Sequence, residues 1–271
     1  LCVLLVYPLG DVFRLSFYES SIWGDTFAGL ANYRRLLADG TFWQAFRQTI
    51  IFVAGSVLCH FFIALGLALL LHQNINRLFR NFFRGLFILP WLISPTVAAM
   101  IWVLMYNPFG VLNGLLVSLG LMAEGQNLAW LGNPQTSLLA VTIVNIWRGF
   151  PFMLVMLLAG LQGIPEELYE AAMIDGANMW QRFIYITLPS LKGIIFTITV
   201  LDAIWTFRHF DLTFIMTGGG PVNSSEVLAT SIYSHAFRNF DMGYASAQAI
   251  TMLIILLILG MGYIRQIGKE G

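Results

Sequence analysis

Glu170-Ala171-Ala172-Met173-Ile174-Asp175-Gly176-Ala177, with Ile186-Thr187-Leu188-Pro189 after it, forms a polar island between two long apolar runs. Pro165 suits the first turn of a helix, where its missing N–H is not needed. Glu166 and Glu167 then lie at the positive end of the dipole. Gly176 allows the turn that ends this helix, and Asn178 can cap a second one over Met179 to Ile186. Pro189 marks entry into the next apolar run. The stretch therefore predicts a helix-turn-helix beneath a membrane.

Working outward, the 271 residues are 58% hydrophobic and only 10% charged, where an ordinary soluble domain carries roughly 25% charged residues. Runs near the ~20 apolar residues that cross a bilayer recur at about Leu1 to Tyr18, Thr49 to Leu71, Gly85 to Tyr106, Thr136 to Gly160, Gly193 to Thr217 and Tyr244 to Ile264. The fold class expected is all-α, a polytopic membrane protein with six transmembrane helices and the cytoplasmic helix-turn-helix. Residues 1–271 read as one transmembrane domain, with 161–192 a loop inside it. The first run reaches Asp11 and Arg14 early, so the N-terminus is expected to be incomplete.

Net charge is zero and carries no information about partners, but its distribution does. One set of loops and ends holds Arg77, Arg80, Arg84, Arg182, Lys192, Arg265 and Lys269; the other holds Arg34, Arg35, Arg47 and Arg238. The positive-inside rule puts the termini and the helix-turn-helix in the cytoplasm. Asn76 to Arg84 alternates an arginine stripe with Leu78, Phe79, Phe82 and Phe83 and suits a helix in the membrane interface. Ser20 to Arg47, with a short helix near Asn32 to Ala38, reads as an extracytoplasmic lid, and Asn107 to Pro134 as a re-entrant or capping stretch on the same side.

Ionisable groups at the bilayer centre cost roughly 2.5 to 3.5 kcal/mol each and usually face a cavity or a partner. Arg148 sits in Trp147-Arg148-Gly149-Phe150-Pro151-Phe152, where Gly149 and Pro151 are expected to bend the helix. Asp202, Trp205, Thr206 and His209 fall on one helical face. Arg148 and Asp202 differ in depth by only about 5 Å. Two readings stay open: a structural Arg148–Asp202 pair, or a pocket in which a hydroxyl-rich solute stacks on Trp205 and bonds Asp202, Arg148, Thr206 and His209. Asn145, Ser246 and Gln248 are weaker candidates that helix packing explains.

His60, His72 and His235 have no metal-ligand spacing and read as structural. Cys2 and Cys59 lie in apolar runs and read as small buried hydrophobes. The glycine run Thr217-Gly218-Gly219-Gly220-Pro221 lacks the Gly-Lys-Ser/Thr ending of a phosphate cradle. No nucleophile–base pair or metal cluster marks an enzyme.

The spacing Glu-Ala-Ala, three residues, Gly, nine residues, Ile, one residue, Leu-Pro resembles the signature loop of permeases of binding-protein-dependent ABC importers, position for position. Gly29-Leu30-Ala31-Asn32-Tyr33, Leu161-Gln162-Gly163-Ile164-Pro165, Phe210-Asp211 and the Gly-Gly-Gly-Pro run are similar to landmarks of the carbohydrate branch, specifically its first permease, of maltose or glycerol-3-phosphate type.

The resemblance implies a non-catalytic permease in a bacterial or archaeal inner membrane. It would work as a heterodimer with a second permease, above two ATPase subunits that bind ATP and Mg, and below an extracytoplasmic solute-binding protein. No cofactor or metal belongs to this chain, and no nucleic acid. It also implies that Glu170, Ala171, Ala172, Asp175, Gly176 and Ala177 form the ATPase coupling element, and that Arg148, Gly149, Phe152, Asp202, Trp205, Thr206 and His209 line the sugar path. The charged Arg148 and Asp202 depart from the family pattern and leave room for an anionic or modified sugar. The rival reading is an ion-gradient secondary transporter, whose inverted repeats or broken helices are not evident.

Overall fold

The computed structural model describes residues 2–21, 24–73 and 76–270. Helices dominate, and among the described residues four are long and apolar enough to cross a membrane: Gly40–His72, Ser137–Gln162, Met179–Phe207 and Met242–Arg265. A fifth crossing would need a pair of helices, α4 (Arg77–Leu92) and α5 (Pro95–Met105), bent by 96°.

That pair corrects the expectation of one continuous span from Gly85 to Tyr106. Proline favours the first helical position, where its missing N–H is not needed. Ile93 is extended (φ −73°, ψ 132°), and Pro95 opens α5. The expected span from Gly193 to Thr217 also changes at both ends. It begins earlier, in the helix-turn-helix, and stops at Phe207; Asp211–Met216 is a separate short helix. The first long helix in chain order, α3 (Gly40–His72), begins before Thr49, so Arg47 belongs to its opening turns and not to a lid.

The chain divides into two compact units. The first comprises residues 1–53, 95–144 and 207–259. In it a short helix, α1 (Cys2–Leu15), leads to an antiparallel hairpin of β1 (Tyr18–Ser21) and β2 (Gly24–Phe27), with Tyr18 opposite Phe27. The short helix expected near Asn32 is α2 (Ala31–Ala38), and α6 (Val111–Ser118), α11 (Asp211–Met216) and α12 (Leu228–Tyr233) are further short helices of this unit. One apolar cluster joins Phe52, Ala99, Tyr106, Val144 and Leu212, and another joins Leu36, Phe42, Phe207, Leu228 and Tyr244.

Asp39 links these parts. Its carboxylate accepts the N–H and hydroxyl of Thr41 (2.8 and 2.7 Å), capping α3. It also accepts the hydroxyl of Tyr244 (2.6 Å), in the first turn of α13 (Met242–Glu270). Burial pushes this carboxyl up, but the hydrogen bonds from Tyr244 and Thr41 outweigh it and hold it below the usual carboxylate range. Its contribution to stability is therefore present above the unfolded carboxyl value and is lost as pH falls through the lower folded one. Arg35 pairs with Asp241 (2.6 Å) and stacks on the Tyr244 ring at 4.2 Å.

Gly243 lies so close to the hairpin that an added Cβ would stand 2.0 Å from the Tyr18 carbonyl oxygen. Backbone cannot move aside as a side-chain tip can. Gly243→Ala should destabilise the protein by roughly 1–3 kcal/mol, read as a lower unfolding temperature in detergent; an unchanged midpoint would remove this contact from the fold's determinants.

The second unit comprises residues 54–94, 145–206 and 260–271. Here α3 buries Ala64, Leu65, Ala68 and Leu71, and α7 (Ser137–Gln162) buries Met153, Leu154, Leu157, Leu158 and Leu161, each set on one helical face. Pro151 sits inside α7 without interrupting it. Gly160 allows close packing against α10 (Leu188–Phe207), since a Cβ there would lie 2.6 Å from Ile194 Cδ1 and 2.7 Å from Leu191 Cδ2. Small residues at such crossings let apolar helices approach. Cys59 is exposed on α3, not buried as expected; its position faces away from the packed side where His60 points.

Candidate functional site

The polar island folds as the sequence predicts, with sharper geometry. Pro165 precedes helix α8 (Glu166–Ile174) as its N-cap. At the other end, the Gly176 N–H donates to the Met173 carbonyl (3.1 Å) and the Ala177 N–H to the Ala172 carbonyl (2.8 Å). Gly176 has φ +80°, in the left-handed region. This pair of bonds is a Schellman motif, and it explains three sequence features together. Glycine supplies the left-handed turn, while the small Ala172 and Ala177 let the two ends of the motif meet.

Asn178 and Gln181 then exchange bonds of 2.9 and 2.8 Å in a capping box that starts α9 (Met179–Arg182). The helix passes through a π-turn, Phe183–Thr187, where the Leu188 N–H donates to the Phe183 carbonyl. A proline inside a helix clashes with the carbonyl four residues back and lacks a donor. Widening the turn just before Pro189 lets the helix run on past Ile186 into α10. The Tyr169 hydroxyl bonds Thr187 (2.9 Å), tying α8 to the π-turn.

No residue of α8 is buried. Glu170, Ala171, Asp175 and Gly176 are exposed, and Ala172 and Ala177 half-buried. Ile174 is 87% exposed, Met179 70%, Trp180 68% and Tyr185 76%. Sequence reading singled out the small and acidic residues here and missed this apolar surface.

Within the second unit, the expected intramembrane residues fall into three groups. Phe152 and Trp205 meet with ring centroids 4.8 Å apart, and Trp91 adds a third ring 6.2 Å from Phe152. Arg148 donates from Nε to the Ile93 carbonyl (3.3 Å), at the C-terminal end of α4, where a cation is favourable. Asp202, for which a structural pair with Arg148 was one of two open readings, takes His60 as its partner: its Oδ2 lies 2.7 Å from His60 Nδ1, with both side chains buried. Thr206 is buried one turn above Asp202. His209 lies beyond the end of α10 at Phe207, in the other compact unit, so the helical-face argument does not extend to it.

His60 Nε2 lies 3.0 Å from the main-chain oxygen of Asn145. A carbonyl only accepts, so Nε2 carries a proton. A second proton is shared between Nδ1 and Oδ2. The pair is thus either imidazolium and carboxylate or two neutral groups, and its net charge is zero both ways. Gly149 makes this arrangement possible. A Cβ there would stand 2.3 Å from His60 Cε1 and 2.4 Å from Nε2. The rule that exposed Arg148 and Asp202 in the sequence, that buried polar groups in a membrane helix seek one another, applies equally to His60.

A family model for binding-protein-dependent transport system inner membrane components matches residues 60–268. A probable ABC transporter permease protein, YurN, of Bacillus subtilis is 39% identical, covering 99% of this chain and 93% of its own. The trehalose/maltose transport system permease protein MalF of Thermococcus litoralis is 36% identical, covering 95% and 85%. Among solved structures, a bacterial ABC transporter involved in the import of the acidic polysaccharide alginate superposes with a TM-score of 0.82 over 97% of this chain and 91% of that one, at 24% identity. That likeness establishes the fold. The chain belongs to the family of binding-protein-dependent ABC importer permeases, multi-pass inner-membrane subunits that are themselves non-catalytic and leave ATP hydrolysis to a separate subunit.

Proposed function

We propose that this permease carries a sugar or sugar derivative, received from an extracytoplasmic binding protein, by alternating access driven by two ATPase subunits. It pairs with a second permease, and its termini and residues 161–192 face the cytoplasm. The observation that carries the coupling role is the exposed surface of residues 170–185, rigidly shaped by the Schellman motif and capping box and apolar enough to dock in a cleft. Glu170 and Asp175 offer carboxylates to basic groups there. Sugar as the cargo is supported by the named substrates of relatives, trehalose and maltose in one and sn-glycerol 3-phosphate in another.

In this reading Trp205 and Phe152 are the stacking platform, with Arg148 and Thr206 as polar contacts. Asp202 and Gly149 act through His60, positioning α10 against α7 and α3 and keeping the carboxylate neutralised. Arg148 then favours an acidic or strongly polar sugar over a plain glucan. Reconstitution in lipid with the cognate second permease, ATPase and binding protein tests this against maltose, trehalose and sn-glycerol 3-phosphate. The expected result is ATP-dependent uptake and stimulated hydrolysis with one sugar class. Uptake driven by an ion gradient with no ATPase present would overturn it.

A further inference from the structure

The first unit contains a groove of about 780 Å³ between the opening turns of α3 and the start of α7, within the usual range for a small-molecule site. Trp43, Gln44, Arg47 and Gln48 line it from α3, with Gln135 and Ser224 across from them. None of these residues belongs to the solute path proposed above.

The groove is built rather than incidental. The Trp43 indole is fixed, its Nε1 donating to the Leu37 carbonyl (2.9 Å) and its ring packed edge-on against Phe42 and Phe46, yet it stays 47% exposed. Gln44 is steadied by donating to the Asn223 carbonyl (3.2 Å), which leaves its own oxygen as an acceptor. Gln48 is only 9% exposed, and its Oε1 is buried with no partner among the described residues. A buried amide oxygen left unpaired is destabilising, so this side chain is short of one donor. Arg47 is exposed and makes no ion pair among the described residues.

A flat, immobilised indole beside two amides and a guanidinium matches the chemistry of a pyranose. Its C–H face packs on the ring, while its hydroxyls both donate and accept, as the amides require. The geometry points to an outer sugar subsite here, on the opening turns of α3 and the start of α7, which takes a hydroxyl-rich solute independently of the Trp205 platform. This rests on the sugar and orientation readings above.

The test uses the assembled transporter in lipid nanodiscs, labelled with 5-fluorotryptophan, with the Trp43 and Trp205 resonances assigned from Trp43→Phe and Trp205→Phe. Maltose, trehalose and sn-glycerol 3-phosphate are titrated in turn. A saturable shift of the Trp43 resonance with one of them is expected, weakened about five- to tenfold by Gln48→Leu, the loss of roughly one hydrogen bond. A shift confined to Trp205 would overturn the outer subsite while leaving the sugar reading intact. A Trp43 resonance that moves on assembly with the second permease but never with sugar would reassign the groove to that subunit contact. If neither resonance moves and no sugar stimulates hydrolysis, both readings fail together.

Discussion

Gly149→Ala is expected to abolish most transport, although the change adds one methyl group to a helix that favours alanine. The new Cβ would lie 2.3 Å from His60 Cε1, so the imidazole must leave its place between the Asn145 carbonyl and Asp202. The cost runs from about 1 kcal/mol if the ring slides aside to about 5 kcal/mol if the buried pair is broken. Uptake by the reconstituted complex and unfolding temperature in detergent read both ends of that range.

Two controls separate this mechanism from a general packing defect. Asp202→Ala should be as damaging as Gly149→Ala, because it leaves the ring nitrogen buried without a partner. Asp202→Asn should be mild: its amide can donate to Nδ1 and so keeps the pair neutral with the proton on Nε2 in place. In a His60→Ala/Asp202→Ala background, adding Gly149→Ala should cost little more, a non-additivity expected only of residues in contact. Additive losses, or Asp202→Asn as damaging as Asp202→Ala, would refute the neutral-pair account.

The second large effect is expected at the α8 turn. Gly176→Ala forces a left-handed angle on a residue with a Cβ, at about 1–2 kcal/mol, although nothing lies within 4 Å of the new atom. Global stability should therefore change little. The turn that aims α8 and α9 would relax, and ATP-dependent uptake should fall at least tenfold while the binding protein's sugar affinity is unchanged. Glu170→Ala, which removes an exposed carboxylate with no ion pair among the described residues, should loosen ATPase subunits from the complex in detergent. Normal uptake in both variants would sink the coupling role of this loop.

Much of this was legible in the sequence because it is local. The apolar runs follow from composition, and the α8 turn follows from Pro165, Gly176 and Asn178, whose caps act within a few residues. The identity of Asp202's partner was not legible. His60 lies 142 positions away, and on sequence alone the stronger charge of Arg148 seemed the natural complement at similar depth. Only the packing of α3 on α7, through the missing Cβ of Gly149, brings the imidazole within reach.

Helix continuity shows the same division. Pro95 falls inside an apolar run that reads as one span and Pro189 at the entry to another, yet α4 and α5 meet at 96° while α10 passes its proline through a π-turn. The sequence by itself determined that this is a membrane protein with a shaped polar loop, since local propensity and hydrophobic length decide those features. Tertiary structure alone decided which buried charges neutralise each other and which prolines bend the chain, because both depend on neighbours distant in sequence.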